Sequence, residues 1–496
     1  MTRNDDDART LQSWAQFRFS VVGPLLASPP RAGDLYAAIE RLSQKIWRHP
    51  ITGESTTFAF STIERWYYAS RSEPDPVGAL LRKRRRDNGI QSAVNEKVEA
   101  VLRGQYRDSP YWSYQLHLDN LAVVIEAHPE LGHLPSYSSV RRFMVSQRLF
   151  RQRRPRGRRR HEDVTGAVQA RVTTREVRSF EAEYVSGLWH LDFHHGSLPV
   201  LTSAGEWNKP VLLAILDDRS RLICHAQWYL SETAEDLIHG LVQAFLKRGL
   251  PRALLSDNGS AMLAGETTQG LQRLAVVHET TLPYSPHQNG KQEVFWAVVE
   301  GRLMAMLERQ RELNLSLLNQ ATQAWVELDY HKSVHSQTGQ TPLARWLAGP
   351  SVERECPDLH KLQLSFTAHQ TRTQRRSDGT ISVDSVRFEV PSRYRHIKRL
   401  HIRYASWDMS HVWLMDERSD TVLTQLFPLN KTRNAERYRR AVGSATDSPA
   451  DSSEVFQTMQ TAPSEMAPLL RKLMADYAAT GLPPAYIPKD DLKEKP

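Results

Sequence analysis

"RALLSDNGS", residues 252–260, decides the fold class. Ala253–Ser256 is short and mostly apolar, so it reads as a buried strand, and Asp257 closes it before an Asn-Gly turn. On that ground alone Asp257 is a turn former. It is also a carboxylate at the end of a strand, where several chain segments can meet. A second Asn-Gly stands in "SPHQNGKQE" (285–293), at Asn289-Gly290, and Glu293 follows it. Between Asp257 and Glu293 lie 35 residues.

The segments around these two carboxylates alternate strand and helix. "GLWHLDFHHG" (187–196) puts Trp189, Leu191 and Phe193 on one face and His190, Asp192 and His194 on the other. "KPVLLAILDD" and "RLICHAQWYL" are apolar strands joined by a hairpin turn at Asp217-Asp218-Arg219-Ser220. "TAEDLIHGLVQAFLKRG" is a helix ended by Gly249. The strand before Asp257 comes next, then a helix near 267–275, a strand near 276–282 and a long helix from about 288. Three antiparallel strands followed by alternating helix and strand predict an α/β core with one mixed sheet.

An aspartate within an apolar strand is costly unless it is paired or binds a metal. Asp192, Asp257 and Glu293 would repel one another at a single point, and divalent cations would hold them ionised through hard oxygen ligands. Two such ions about 3.5–4 Å apart serve in-line phosphoryl displacement. At this stage other assignments stay open. Asp257 also fits a plain turn, Glu293 a solvated helix position, and His190, Asp192 and His194 a zinc site. Glu300 lies about 10 Å along the helix from Glu293, too far to share a compact site with it. Asp217 and Asp218 read as hairpin residues, one of which could stand near the site. In the helix after Glu293, Phe295, Val299, Leu303 and Met306 read as a packing stripe.

The flanks read as separate modules. Residues 1–30 carry few signals, whereas 33–71 is helical in pattern. There Ser61 and Glu64 fit a capping box, starting a helix with Arg65 and Trp66. Helix, turn and capped helix predict a helix-turn-helix, with a plain helical hairpin as the alternative. A second such module covers about 92–150, where serines precede a basic helix carrying Arg141 and Arg142. "LRKRRR" (81–86) and "RQRRPRGRRR" (151–160), the latter containing Arg153, Arg154, Arg158 and Arg159, are expected to grip phosphates. From 363 to 428 short alternating strands predict a small β-barrel. "GSATDSPADSS" (443–453) reads as flexible, and "SEMAPLLRKLMADYAATG" (464–481) as an amphipathic helix.

With 496 residues, 40% hydrophobic and 24% charged, the chain has room for three or four domains. Its net charge of +9 points to nucleic acid. Two cysteines, Cys224 and Cys356, argue against a disulfide scaffold or a cysteine-rich zinc module. The start MTRNDDDART is no signal peptide and no apolar run approaches a membrane span, so a soluble intracellular protein is expected. The expectation is thus a multidomain α+β chain: helix-turn-helix domains at 1–75 and 90–150, a basic linker at 151–180, an α/β core at 181–350, a β-barrel at 360–432 and a flexible tail with one helix at 441–496.

"WHLDF", "LSDNGS" and "YSPHQNGKQE" together resemble the DDE transposases and retroviral integrases. "YHKSVHSQTGQTPLARW" (330–346) resembles the segment that follows their core. The clear resemblance covers about 180–350. The barrel is similar, more weakly, to that of phage Mu-like transposases, and the serial helix-turn-helix modules agree with that branch. The chain lacks the His/His/Cys/Cys zinc module with which retroviral integrases begin. The resemblance implies an RNase H-like catalytic core and a DNA transposase. Asp192, Asp257 and Glu293 would be catalytic and ligate two Mg²⁺ ions, with Mn²⁺ a substitute. The enzyme would nick DNA at the ends of a mobile element and join the 3′-OH to target DNA, without a covalent protein–DNA intermediate. Double-stranded DNA would meet Arg65, Arg141, Arg142 and the basic linker, and His287, Asn289 and Lys291 near the reacting strand. The resemblance further implies a homo-multimer on DNA, an AAA+ ATPase target selector as candidate partner of the C-terminal tail, and a cytoplasmic, nucleoid-associated, bacterial setting. A nuclease that cuts without joining and a catalytically idle DNA-binding regulator are the alternatives.

Overall fold

The computed structural model describes residues 3–31, 33–81, 93–152, 181–281, 290–430 and 465–489. Two compact units divide the chain, 1–92 and 93–496.

In the first unit, α1 (Arg3–Ala27), α2 (Leu35–Ser43), the hairpin strands β1 (Trp47–Arg48) and β2 (Ser55–Thr56), α3 (Phe60–Ser70) and α4 (Pro76–Ala79) follow in order. Their core gathers Val21, Val22, Ile39, Ile63, Trp66 and Leu80. The stretch with few signals forms a 25-residue helix. The expected short turn between α2 and α3 is instead a connection holding the β1–β2 ladder. Nor is Ser61 a cap: α3 already begins at Phe60, and its N-cap Ala59 offers no side-chain bond. Arg65 is exposed on α3.

The second unit opens with three capped helices, α5 (Glu96–Asp108), α6 (Tyr114–Ala127) and α7 (Tyr137–Ser146). Asn95, Ser113 and Ser136 each accept a backbone N–H in their first turns. Ser136 is the cap that the serine run foretold, and Arg141 and Arg142 are exposed on α7. A long connection with a 3₁₀ turn at Pro129–Leu131 joins α6 to α7, longer than a helix-turn-helix turn.

The centre of this unit is a mixed sheet. Its strands are β3 (Leu188–His195), β6 (Val211–Asp217), β7 (Ile223–Tyr229), β8 (Ala253–Ser256) and β9 (Val277–Thr280); β4 (Val200–Leu201) and β5 (Trp207–Asn208) form a separate short hairpin. The order is β7-β6-β3-β8-β9. β3, β6 and β7 are antiparallel neighbours, and β8 and β9 continue parallel to β3. The period of two sorts the side chains. Leu213 and Ile215 of β6 join Trp189 and Leu191 of β3 in one core, while Leu212, Ala214 and Leu216 join a second core on the other face. Asp192, paired in register with Ala214, therefore belongs to that second face.

α8 (Ala234–Arg248) covers the first face. It starts with a Thr233–Asp236 capping box and stops at Gly249, whose φ is +70°. After α9 (Gly265–Arg273), the helix expected from 288 is seen as α10 (Gly290–Val298), a π turn (Val299–Leu303) and α11 (Met304–Leu307). Phe295, Val299, Leu303 and Met306 are buried in the second core, as the stripe predicted. Arg302 in the π turn grips Asp329 with two nitrogens at 2.6 and 3.0 Å and Asp119 of α6 at 2.7 Å. α12 (Leu315–Leu328), α13 (Pro342–Ala348) and α14 (Leu359–Ser365) lead to the barrel.

The barrel strands are β10 (Ala368–Thr373), β11 (Thr380–Val383), β12 (Val386–Glu389), β13 (Arg399–Ala405), β14 (Asp408–Met415) and β15 (Val422–Pro428). They pair antiparallel in the order β10-β13-β14-β15-β12-β11 and curl into a nearly closed sheet around Ile381, Phe388, Ile402, Val412 and Leu426.

The last helix, α15 (Pro468–Ala479), falls where the amphipathic helix was expected and packs on the core, while the stretch 443–453 lies outside the described residues. Leu470, Leu473, Met474 and Tyr477 share a core with Leu317, Leu318 and Ala321 of α12. Beyond it, the Ile487 N–H donates to Gln243 at 2.5 Å and the Lys489 ammonium meets Asp236 at 2.5 Å. Burial of its apolar stripe fixes this segment on the core. Among the described residues no helix is long and apolar enough to cross a membrane.

Candidate active site

Asp192 sits half-buried on β3, on the face covered by α10. Its Oδ1 accepts the Phe193 N–H at 2.8 Å, and its Oδ2 accepts the indole N–H of Trp296 at 3.2 Å. Burial pushes its carboxyl up to about 6; the Trp296 hydrogen bond pulls it back, and the charge of Asp257 adds to the rise. Trp296 also stacks on His194, with ring centroids 4.9 Å apart, and His194 in turn meets Glu300 at 3.1 Å. Glu300, set aside as too distant from Glu293, thus supports a neighbour of Asp192 instead.

Asp257 follows the last residue of β8, and β8 runs parallel beside β3. That adjacency brings it close enough for its charge to act on Asp192. Its Oδ1 accepts the Gly259 N–H at 2.9 Å, so it is also the turn former that the Asn-Gly suggested. A Cβ at Gly259 would stand 3.0 Å from that Oδ1 and 3.6 Å from Glu232 Oε1. Glu232 is a second carboxyl beside Asp257, raised by burial and by that neighbouring charge. Nothing in its local sequence singled it out.

Glu293 is exposed in the first turn of α10. It stands three residues before Trp296, about one turn along the same side of the helix that reaches Asp192. Among the described residues no group of three or more His, Cys, Asp or Glu is gathered closely enough to hold a metal ion. Asp192 and Asp257 are close enough for the charge of one to act on the other, and Glu293 stands in the first turn of α10. The zinc alternative is also not formed, since the ring of His190 meets Asp218 and that of His194 meets Glu300.

The Lys291 ammonium is paired with Asp218, and its side chain is only 15% exposed. Asp217 acts as the turn residue, accepting N–H groups from Ser186 and Ser220, each at 2.8 Å. Arg153, Arg154, Arg158, Arg159, His287 and Asn289 lie outside the described residues.

Residues 182–286 match the Integrase core domain family, of the retroviral integrase and DDE superfamily. The match contains Asp192 and Asp257 and ends before Glu293. An uncharacterised protein of Caenorhabditis elegans is 27% identical over 154 residues, 31% of this chain, and the chain spans only 11% of that relative's length. Among solved structures, the simian T-cell lymphotropic virus intasome bound to the PP2A regulatory subunit B56 gamma is 17% identical. It covers 51% of this chain and 79% of its own, with a TM-score of 0.31. The magnesium-bound catalytic core of HTLV-2 integrase is 20% identical, covering 34% of this chain and 98% of its own, with a TM-score of 0.27. The catalytic core of BIV integrase is 25% identical, covering 33% and 94%, with a TM-score of 0.26. These relatives are retroviral and nematode; they lend no support to the Mu-type branch, an AAA+ ATPase partner or a bacterial source.

Proposed function

We propose that the chain is a DNA transposase or integrase that cuts DNA and joins a 3′-OH to a target phosphate, with Asp192, Asp257 and Glu293 as its metal-binding carboxylates. One observation carries the proposal. Asp192 on β3 and Asp257, just past the end of the adjacent parallel strand β8, stand in an integrase-type core, and the Asp192 carboxyl is pushed up first by burial and further by the charge of Asp257. Two like charges in a partly dry site are costly until a cation joins them. The donors are carboxylate oxygens, which suits Mg²⁺ or Mn²⁺. Glu293, on the helix side that leans on Asp192, completes the set.

Divalent ions held by these carboxylates would activate the attacking oxygen and stabilise the leaving one. The chain's own groups do the rest. Trp296 and the Phe193 N–H orient Asp192, the Asx turn orients Asp257, and the packed stripe of α10 holds the helix of Glu293. The exposed Arg65, Arg141 and Arg142 and the basic run at 151–160 are suited to phosphate contact. Assembly as a multimer on paired DNA ends belongs to the same proposal.

A strand-transfer assay tests it. Oligonucleotides from the repeats flanking the gene are mixed with plasmid and Mg²⁺, using wild type, Asp257→Asn and Glu293→Gln. Joined products from wild type, with a loss of at least about 10²–10³-fold in both variants, are expected for groups that stabilise developing charge. Nicks without joining would mean a nuclease. End binding without any cutting, even with Mn²⁺, would mean a regulator.

A further inference from the structure

Asp218 begins the turn between β6 and β7 and has no exposed side-chain surface. One of its oxygens meets His190 Nε2 at 2.6 Å and the Lys291 ammonium. The other accepts the Ala182 N–H at 2.5 Å. Burial opposes its charge, but the hydrogen bonds from His190 and Lys291 outweigh burial and hold it down at about 2. A buried aspartate, a strand and the first turn of α10 are thereby tied together.

The next residue makes a second tie. Gln292 is fully buried, and its amide donates to the backbone carbonyls of His190 at 3.2 Å and Ala214 at 3.1 Å. These anchors flank Asp192: His190 precedes it by two residues on β3, and Ala214 is its register partner on β6. Two consecutive side chains of α10 thus grip the sheet on either side of a candidate metal ligand, and the residue after them is Glu293. Sliding the helix by one residue would break both ties and move Glu293 with it.

We propose that Lys291, acting with Asp218 and His190, is a positioning residue that sets where Glu293 stands relative to Asp192. Its part in chemistry rests on the reading of Asp192, Asp257 and Glu293 as a metal site. A lysine that grips phosphate keeps its ammonium in water, as a hydrated point charge on a flexible stem. Lys291 is instead largely withdrawn from water against a buried carboxylate that would keep only the His190 ring and the Ala182 N–H without it.

The test uses the full chain as wild type, Lys291→Met, Lys291→Arg, Asp218→Asn and the double variant Lys291→Met/Asp218→Asn. The double variant leaves neither charge unpaired, so it remains informative if a single variant does not fold. Mn²⁺ affinity is measured by calorimetry without DNA, DNA affinity in EDTA across a salt series, and hydrogen exchange over 290–298. A positioning role predicts Mn²⁺ affinity about 10-fold weaker in Lys291→Met, Asp218→Asn and the double variant, the scale of second-layer losses at metal sites. It also predicts affinity retained in Lys291→Arg, faster exchange along α10 in the double variant, and DNA affinity as in wild type. A phosphate contact predicts the reverse: normal Mn²⁺ affinity, weaker DNA binding and a salt slope smaller by about 1 in Lys291→Met alone. If wild type binds no Mn²⁺, the metal-site reading falls while the exchange data still judge the clamp. Unchanged exchange over 290–298 in the double variant overturns it.

Discussion

Asp192 and Asp218 lie at opposite ends of the same electrostatic scale, although both border the face of the sheet that α10 covers. Asp218 is wholly buried, meets the His190 ring, the Lys291 ammonium and the Ala182 N–H, and its carboxyl is held at about 2. Asp192 is raised to about 6 by burial and further by the charge of Asp257, although a neutral indole and a backbone N–H pull it down. The difference separates a structural carboxylate from one suited to an external cation. The first comes with its counter-charge built in; the second is the one that the proposed function assigns to a cation.

The sharpest way to break this contrast is to neutralise each aspartate and measure unfolding in urea at pH 7 without divalent metal. Asp218→Asn leaves Lys291 buried without its partner, so stability should fall by about 3–5 kcal/mol. Asp192→Asn removes a charge that the fold does not favour, so stability should rise by about 1 kcal/mol, a figure discounted for partial exposure. Equal losses from the two substitutions would end the distinction.

The acid side separates them by sign. The Asp192 carboxyl is raised in the folded state, so the folded protein takes up that proton first. Its charge weakens the metal-free fold above about pH 6, and this penalty disappears as pH falls from 6 towards 4. The Asp218 carboxyl is depressed, so its contribution is present above about pH 4 and is lost as pH falls towards 2. The difference between wild type and Asp192→Asn in urea midpoints, taken at pH 7.5 and 4.5, should shrink with acid in EDTA. Saturating Mg²⁺ should reverse the sign of that difference at pH 7.5, because the metal favours the charged carboxylate. A difference that ignores both pH and metal would remove Asp192 from the proposed site.

What was legible in the sequence follows the same division. Local periodicity gave β3, the β6–β7 hairpin, the order of helix and strand around Asp257 and the strands of the barrel, because each depends on neighbours a few residues apart. It also placed Asp192 within a strand and Asp257 at a strand end before an Asn-Gly turn, since both are local signals. The ties that hold the site were not legible. Lys291 to Asp218, Trp296 to Asp192 and Glu300 to His194 each join positions 73 or more residues apart, and nothing in the composition of either segment announces the other. The segment around Asn289-Gly290 gives no sign that the Lys291 ammonium meets Asp218, because that buried carboxylate lies in another turn. In the first unit the opposite occurred. Ser61 and Glu64 have the spacing of a capping box, but Phe60 is drawn into the helix ahead of them, so the local signal lost to the packing of Phe60 and Ile63.

Trp296→Phe is the finest probe of the contrast. It keeps an aromatic ring against His194 and removes one hydrogen bond, the indole N–H to Asp192 Oδ2. Net, such a bond contributes about 1 kcal/mol to stability, so the fold should tolerate its loss. The orientation of Asp192 should not. If Asp192 awaits a cation, the half-saturating Mg²⁺ for cleavage should rise about 10-fold, as for other groups that orient a ligand, while the maximal rate at saturating metal stays close to wild type. If instead Trp296 and Asp192 form only a packing contact, the urea midpoint will drop slightly and the metal dependence will not move. The indole would then have to be regrouped with Lys291 and Gln292 as part of what holds α10 to the sheet.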